Sequence, residues 1–588
     1  MDNVLAIQTA SQRLTIDPAI QSWTLYDIPA KQRLLFGGAL HFDNPIFHGI
    51  APANTELVQA NQRDDRTIVL SFRRDGLAEH DVIFHADADA DAIDVTGHCI
   101  VESPCQLNRL ELFPVETSLN LYDVVNFRNR HLTPRTWPEL LLGGEGCSTD
   151  TYSTDWQFAP HPTVLLIRKA MRALCVGSMD LAPTYGMYFK ARDYRLQHWY
   201  LDYGAAPHGL PLQRGQRLQF PRLRLFLRTA ADPHDLYRQW GRMLISAAKI
   251  ADPARKRRDS WWLEPLYCTW MDQNFSVSAL PPAELAEQTT LAISSASSVL
   301  NEKFVRDAVQ VIRRERLSIR TILLDAGWQM ATGQWQPHPD RFPQFRTLID
   351  ELHQQGFKVV VWWNWAELES TADAVPAHLI AGGKLNRHGQ RMRDYSLPAT
   401  QEEYLKPLLR KLFSPEADCY DLDGVKTDFL ADKVHPDMPP ADPGWRGEEN
   451  YFLRVTQLFY QTMKHYKPDA MHLGCAGNYW LAEYIDLNRT YDVHSSDWRE
   501  HENRARMLLA TTPGCPASYD FHNFIENHEN WLASAQKLGA AVEIGNVLYV
   551  CDDLFAKPRH ADAAYYQTLR AALKPRPETL REIQAPVS

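Results

Sequence analysis

The strongest constraint on the fold of this 588-residue chain is an alternation that begins near residue 234. HDLYRQWGRMLISAAKI (234–250) has helical spacing, and beyond it short apolar runs alternate with helical stretches. The runs are EPLYCTWMDQ (264–273), RTILLDAGW (320–328), FKVVVWWNWA (357–366), DGVKTDF (423–429), AMHLGCAG (470–477), YDVHSSDW (491–498), ASYDFHNF (517–524) and NVLYVCDD (546–553). NEKFVRDAVQVIRRERL and FRTLIDELHQQG read as helices between them. Eight strands with crossovers in roughly 300 residues predict a (β/α)8 TIM barrel. The expectation is an α/β catalytic barrel over 263–588, with a C-terminal helix, behind a helical linker at 234–262.

Residues 1–233 follow another grammar. RTIVLSF (66–72), HDVIFHA (80–86), CQLNRLELFP (105–114), TVLLIRKA (163–170) and LQFPRLRLFLR (218–228) recur between Gly, Pro and Asp clusters. This spacing predicts an N-terminal antiparallel β-sandwich. The acidic alternation HADADADAID (85–94) reads as a solvated edge strand or loop rather than a calcium site.

Composition narrows the function classes. A net charge of −10 without an extended basic stripe argues against nucleic acid as a partner. The one basic cluster, Arg255-Lys256-Arg257-Arg258, reads as a solvated linker. No run of about 18 apolar residues is present, which argues against a membrane span. The first twenty residues have no basic stretch leading into an apolar one, and nine cysteines occur without a CxxC pair. Both features favour a reduced, cytoplasmic location, and no metal-ligand spacing appears. No cofactor is expected, and assembly into a homo-oligomer stays open.

Barrel enzymes carry their working residues at the C-terminal ends of the strands. Here those ends hold Trp270 and Asp272, Asp325 and Trp328, Trp363 and Asn364, Lys426 and Asp428, Cys475 and Asn478, and His494 and Asp497. Any one of them alone could cap a loop. Carboxylates and tryptophans around a single rim suit a sugar, whose C–H face stacks on indole while its hydroxyls donate to carboxylate. Lys426 and Asp428 share a strand face, because side chains alternate. A structural ion pair plugging the barrel is the plain alternative for those two.

The order and spacing of these motifs resemble the retaining α-glycosidases of glycoside hydrolase family 36 and its relative family 31. TILLDAGWQMATGQWQPHPDRFPQFRTLIDELHQQGFKVVVWWNWAELE (321–369) resembles their second-to-third strand segment. DGVKTDF resembles the nucleophile strand, and HSSDWREHENRARMLLATTPGCPASYDFH (494–522) looks more like family 36. The resemblance implies an exo-acting retaining α-glycoside hydrolase, α-galactosidase-like, acting on an oligosaccharide or glycoside. It implies Asp428 as nucleophile and Asp497 as acid/base. Lys426 would hold Asp428 ionised, Asp325, Trp328 and Trp363 would line the glycone pocket, and Arg489 would bind a hydroxyl near the acid/base. Ala326 stands where many family 36 α-galactosidases carry a second Asp, so the sugar is left open. A transglycosylase of the raffinose-synthase kind and a non-catalytic carbohydrate-binding protein are the other readings.

Overall fold

In the computed structural model the described residues run from 4 to 573 with interruptions, the longest at 126–150, 153–163, 280–294 and 429–439 and shorter ones including 475–478 and 491–497. The chain divides into two compact units near residue 249, inside the expected linker, with Pro443–Tyr451 grouped with the first.

The first unit is built from antiparallel sheets. Leu5–Gln8, Gln12–Asp17, Ser22–Asp27 and Gln32–Gly37 form a meander. Thr67–Arg73, Leu77–Asp87 and Ala92–Val101 form the centre of a larger sheet, and Cys105–Leu112 pairs with Arg195–Asp202 in a third. Alternation dictates the packing. Leu14, Ile16 and Leu25 from the first sheet, Leu70, Val82, Phe84 and Val95 from the second, and Leu107 and Leu201 from the third enter one buried core. LQFPRLRLFLR is not one strand: Arg217–Gln219 and Leu223–Thr229 flank Pro221, which has no N–H to give a ladder. In the acidic run, Asp87 and Asp94 pair with Arg224, and Asp91 pairs with Arg228. Those carboxylates are committed to arginines rather than solvated.

The second unit contains a closed parallel barrel of Leu266–Cys268, Thr321–Leu324, Lys358–Trp363, Gly424–Thr427, Met471–Gly474, Leu487–Arg489, Ala517–Tyr519 and Ala541–Ile544. Helix Glu302–Arg314 shows how the outer layer forms. Asn301 caps it by accepting from the Phe304 N–H at 2.9 Å, and Val305, Ala308, Val309 and Ile312 bury one stripe. Gly424 opens the fourth strand because a Cβ there would lie 2.5 Å from the Met471 carbonyl oxygen.

Two expected strands are displaced. The sixth is Leu487–Arg489 rather than YDVHSSDW, and the eighth is Ala541–Ile544 rather than NVLYVCDD, of which Tyr549–Val550 instead pairs with Arg559–His560. Each true strand is short and carries an inward charge, Arg489 or Glu543, that masks its apolar character. The basic cluster is also reassigned: Lys256 donates to the carbonyls of Glu483 and Ile485 and pairs with Asp486 at 2.8 Å. No helix among the described residues is long and apolar enough to cross a membrane.

His472, on the fifth strand, is fixed in its neutral form. Its Nδ1 donates to the Tyr484 carbonyl at 2.6 Å, and its Nε2 accepts from the Thr427 hydroxyl at 2.8 Å. Burial pushes its pKa down to about 4. Because the folded value lies below the unfolded one, the unfolded chain binds the extra proton as pH falls below about 6.5. Stability contributed by this ring is full at neutral pH and falls by about 3 kcal/mol on the way to pH 4. The difference in denaturant stability between wild type and His472→Gln should therefore narrow as pH drops from about 7 toward 4. A constant difference would show that the ring is not held neutral.

Candidate active site

Strand alternation decides which side chains enter the barrel. Leu266 and Cys268, Leu323, Val360, Leu473, Leu487 and Ala541 share its interior. Continuing that parity by two residues brings Asp325, Trp362, Arg489 and Glu543 to the same side, and Gly424, Lys426 and Asp428 follow it on the fourth strand. The lower interior is thus apolar and the upper interior ionic.

Two linked groups form the ionic layer. Lys426 Nζ lies 2.9 Å from Asp325 Oδ2 and 3.8 Å from Glu543 Oε2. The Cys268 thiol reaches the same Asp325 oxygen at 3.3 Å, and Ser518 Oγ reaches Glu543 Oε1 at 3.4 Å. Arg489 extends one guanidinium nitrogen to Asp428 Oδ1 and the other to Asp520 Oδ2, each at 2.7 Å. The Trp362 indole N–H donates to Asp428 Oδ2 at 2.9 Å. The nucleophile candidate is therefore held at both oxygens by different donors.

This arrangement corrects the expected role of Lys426. It shares a face with Asp428, but its ammonium pairs with Asp325, and the cation on Asp428 is Arg489. Arg489 in turn is fully buried between two carboxylates rather than directed at a sugar hydroxyl. Burial and the Arg489 charge oppose protonation of Lys426, yet the attraction of Asp325, Cys268 and Glu543 outweighs them and raises its pKa well above the usual lysine value. Burial, reinforced by the nearby Asp520 charge, drives Glu543 well above the usual carboxylic acid range, against the pull of Lys426 and Arg489.

The tryptophans divide differently from the expectation. Trp363 points outward, stacked on Phe459 with ring centroids 4.5 Å apart. Trp328 is fully buried, stacked on Phe345, with its indole N–H on the Trp362 carbonyl. Neither presents a face to the barrel interior, whereas Trp362 meets Asp428. Period-two reading of KVVVWW from the inward Val360 identifies Trp362 rather than Trp363.

Asp272 is a structural residue. It sits in the first turn of helix Trp270–Ala279 and accepts the N–H groups of Val547, Leu548 and Tyr549 and the Tyr267 hydroxyl, all at 2.8–2.9 Å. Burial raises its carboxyl to about 7 against the pull of those donors. Trp270 is half-buried at the start of the same helix and packs against the barrel core, and Asn364 is buried just after the third strand. Cys475, Asn478, His494 and Asp497 lie outside the described residues.

Residues 283–524 match the TIM-barrel domain of the glycosyl hydrolases family 31. The barrel is similar to that of the glycosyl hydrolases. The match takes in Asp325, Lys426, Asp428, Arg489 and Asp520, and it bears out the family resemblance of the motif order. No curated protein matches the chain. Among solved structures, an α-N-acetylgalactosaminidase from Bifidobacterium bifidum superposes with a TM-score of 0.63 at 13% identity, covering 97% of this chain and 92% of its own. An α-galactosidase from Lactobacillus brevis gives a TM-score of 0.50 at 14% identity over 99% of this chain and 83% of its own. The galactosidase domain of an α-galactosidase–sucrose kinase gives 0.51 at 12% identity, with 99% and 85% covered. At these identities the likeness is one of fold.

The assignment of Asp272 to structure has a direct consequence. Asp272→Ala orphans the buried Val547 amide and Tyr267 hydroxyl and the half-buried amides of Leu548 and Tyr549, the buried groups costing about 1–3 kcal/mol each. It should lower the unfolding free energy by more than about 3 kcal/mol in denaturant titration. An unchanged midpoint would remove Asp272 from the structural role.

Proposed function

We propose that this chain is a retaining, exo-acting α-glycoside hydrolase in which Asp428 is the nucleophile and Asp497 the general acid/base. One observation carries the reading: Asp428 follows the fourth strand of a barrel similar to that of the glycosyl hydrolases, with Oδ1 on the Arg489 guanidinium and Oδ2 on the Trp362 indole. A cation and a second donor, one on each oxygen, fix its aim, as attack on an anomeric carbon requires.

In the first step an Asp428 oxygen bonds to the anomeric carbon and the bond to the aglycone breaks, while the acid/base gives its proton to the departing oxygen. In the second, water attacks the glycosyl ester, loses a proton to the same acid/base, and frees Asp428. Asp325 and Lys426, paired beside this site, supply an acceptor and a donor for glycone hydroxyls. The sugars named for the structural neighbours, galactose and N-acetylgalactosamine, are the first to test as aryl α-glycosides.

Asp428→Asn should abolish turnover of every aryl α-glycoside in such a panel. Asp497→Asn should lose about 10²–10⁴-fold on poor leaving groups and far less on activated ones, which depart without a proton. With azide, Asp497→Ala should yield a glycosyl azide of retained configuration and Asp428→Ala the inverted one. Retained azide from Asp428→Ala would contradict the assignment.

A further inference from the structure

The end of the barrel opposite the ionic layer holds a cavity that the chemistry proposed above does not use. We propose that this cavity is a second binding site, for an organic anion with an apolar body.

The segments leading into the first, second, third and eighth strands enclose it, together with the end of helix Ala563–Ala572. Its volume is about 500 Å³, inside the range of about 300–1,000 Å³ typical of small-molecule sites. The local sequence explains its floor. Helix Glu302–Arg314 ends, and Arg316 adopts the left-handed conformation with φ 53°. Burial then alternates, with Leu317 and Ile319 turned inward and Ser318 and Arg320 outward. Ile312, Phe357, Leu532 and Val542, all buried, complete the apolar floor. Helix His528–Leu538 stops on Gly539 with φ 64°, and no side chain there fills the space.

The rim is cationic. Arg313, Arg316 and Arg320 are exposed and line the cavity, against one acidic residue, Glu264, among the described lining residues. Arg313 donates to Gln355 Oε1 at 2.9 Å, which uses one of its five N–H groups. The side chains of Arg316 and Arg320 have no hydrogen-bond or ion-pair partner among the described residues. Their neighbours Arg314 and Arg570 differ: both pair with Glu315, and neither lines the cavity. Arg320 also lies against the lining residue Gly356, where a Cβ would stand 3.6 Å from its Nη1. A guanidinium is weakly hydrated, and its planar fork matches carboxylate and phosphate oxygens. The arginines therefore select a negative headgroup, and the floor selects an apolar body of small-molecule size.

The probe is 8-anilinonaphthalene-1-sulfonate, an aromatic sulfonate, titrated by fluorescence into the full chain. One dye should bind per chain. Octanoate and octyl phosphate should displace it and octanol should not, and the tighter of the two anions names the headgroup. The double variant Arg316→Gln/Arg320→Gln changes two exposed side chains. It should weaken dye binding about tenfold or more while the circular dichroism spectrum stays that of the wild type. Ala572→Trp, which fills the cavity from the end of its helix, should abolish dye binding. The proposal is overturned if the wild type binds no dye or if octanol displaces it as readily as the anions do. Dye binding indifferent to the arginine pair or to Ala572→Trp overturns it as well. Dye bound only once the chain is cut after Leu573 would assign the cavity to residues 574–588 and overturn it too.

Discussion

Two cations inside a barrel are the condition on which the rest of this structure depends. Lys426 and Arg489 are both almost fully buried, and neither could be tolerated there without anionic partners. The interior supplies them in a fixed pattern: Asp325 and Glu543 around Lys426, and Asp428 with Asp520 around Arg489. Such an arrangement is weak evidence for stability, because well-packed apolar side chains often do as well. It suits a surface that must present oriented charge to a ligand. The apolar layer of Leu266, Leu323, Val360, Met471, Leu473 and Leu487 beneath it supplies the packing that the ionic layer does not.

The same division explains how the outer shell is used. Asp423 precedes the fourth strand and is buried at the opposite end of that strand from Asp428. It accepts from His353, Lys358, Lys467 and the Val359 N–H, which together outweigh burial and hold its carboxyl below the usual range. It ties the third and fourth strands together beneath the site. Asp272 does the corresponding service between the first strand and the segment after the eighth. Sequence inspection places carboxylates at strand ends, but it does not separate those that organise backbone from those left to meet a ligand.

What was legible in the residues follows from which signals are periodic. Six of the eight barrel strands lie where their apolar runs predict, and the inward pairing of Lys426 with Asp428 follows from alternation alone. The sixth and eighth strands were obscured because LNR and AVEI each turn a charged side chain inward, while richer apolar runs lie a few residues downstream. Counting by twos from Val360 identifies Trp362 as the inward residue, whereas Trp363, implied by the family resemblance, falls on the opposite face. Partner choice was not recoverable. Nothing in DGVKTDF says that Lys426 will reach across to Asp325, or that the cation for Asp428 will come from a strand sixty residues away.

Covalent trapping identifies the nucleophile directly. A fluorinated glycosyl fluoride disfavours the oxocarbenium-like transition state yet carries a good leaving group, so the glycosyl–enzyme forms and persists. Peptic digestion and mass spectrometry would then locate the sugar. A single glycosyl ester is expected on Asp428, in the peptide containing GVKTDFL. A glycosyl ester on Asp325, Asp520 or Glu543 would contradict it.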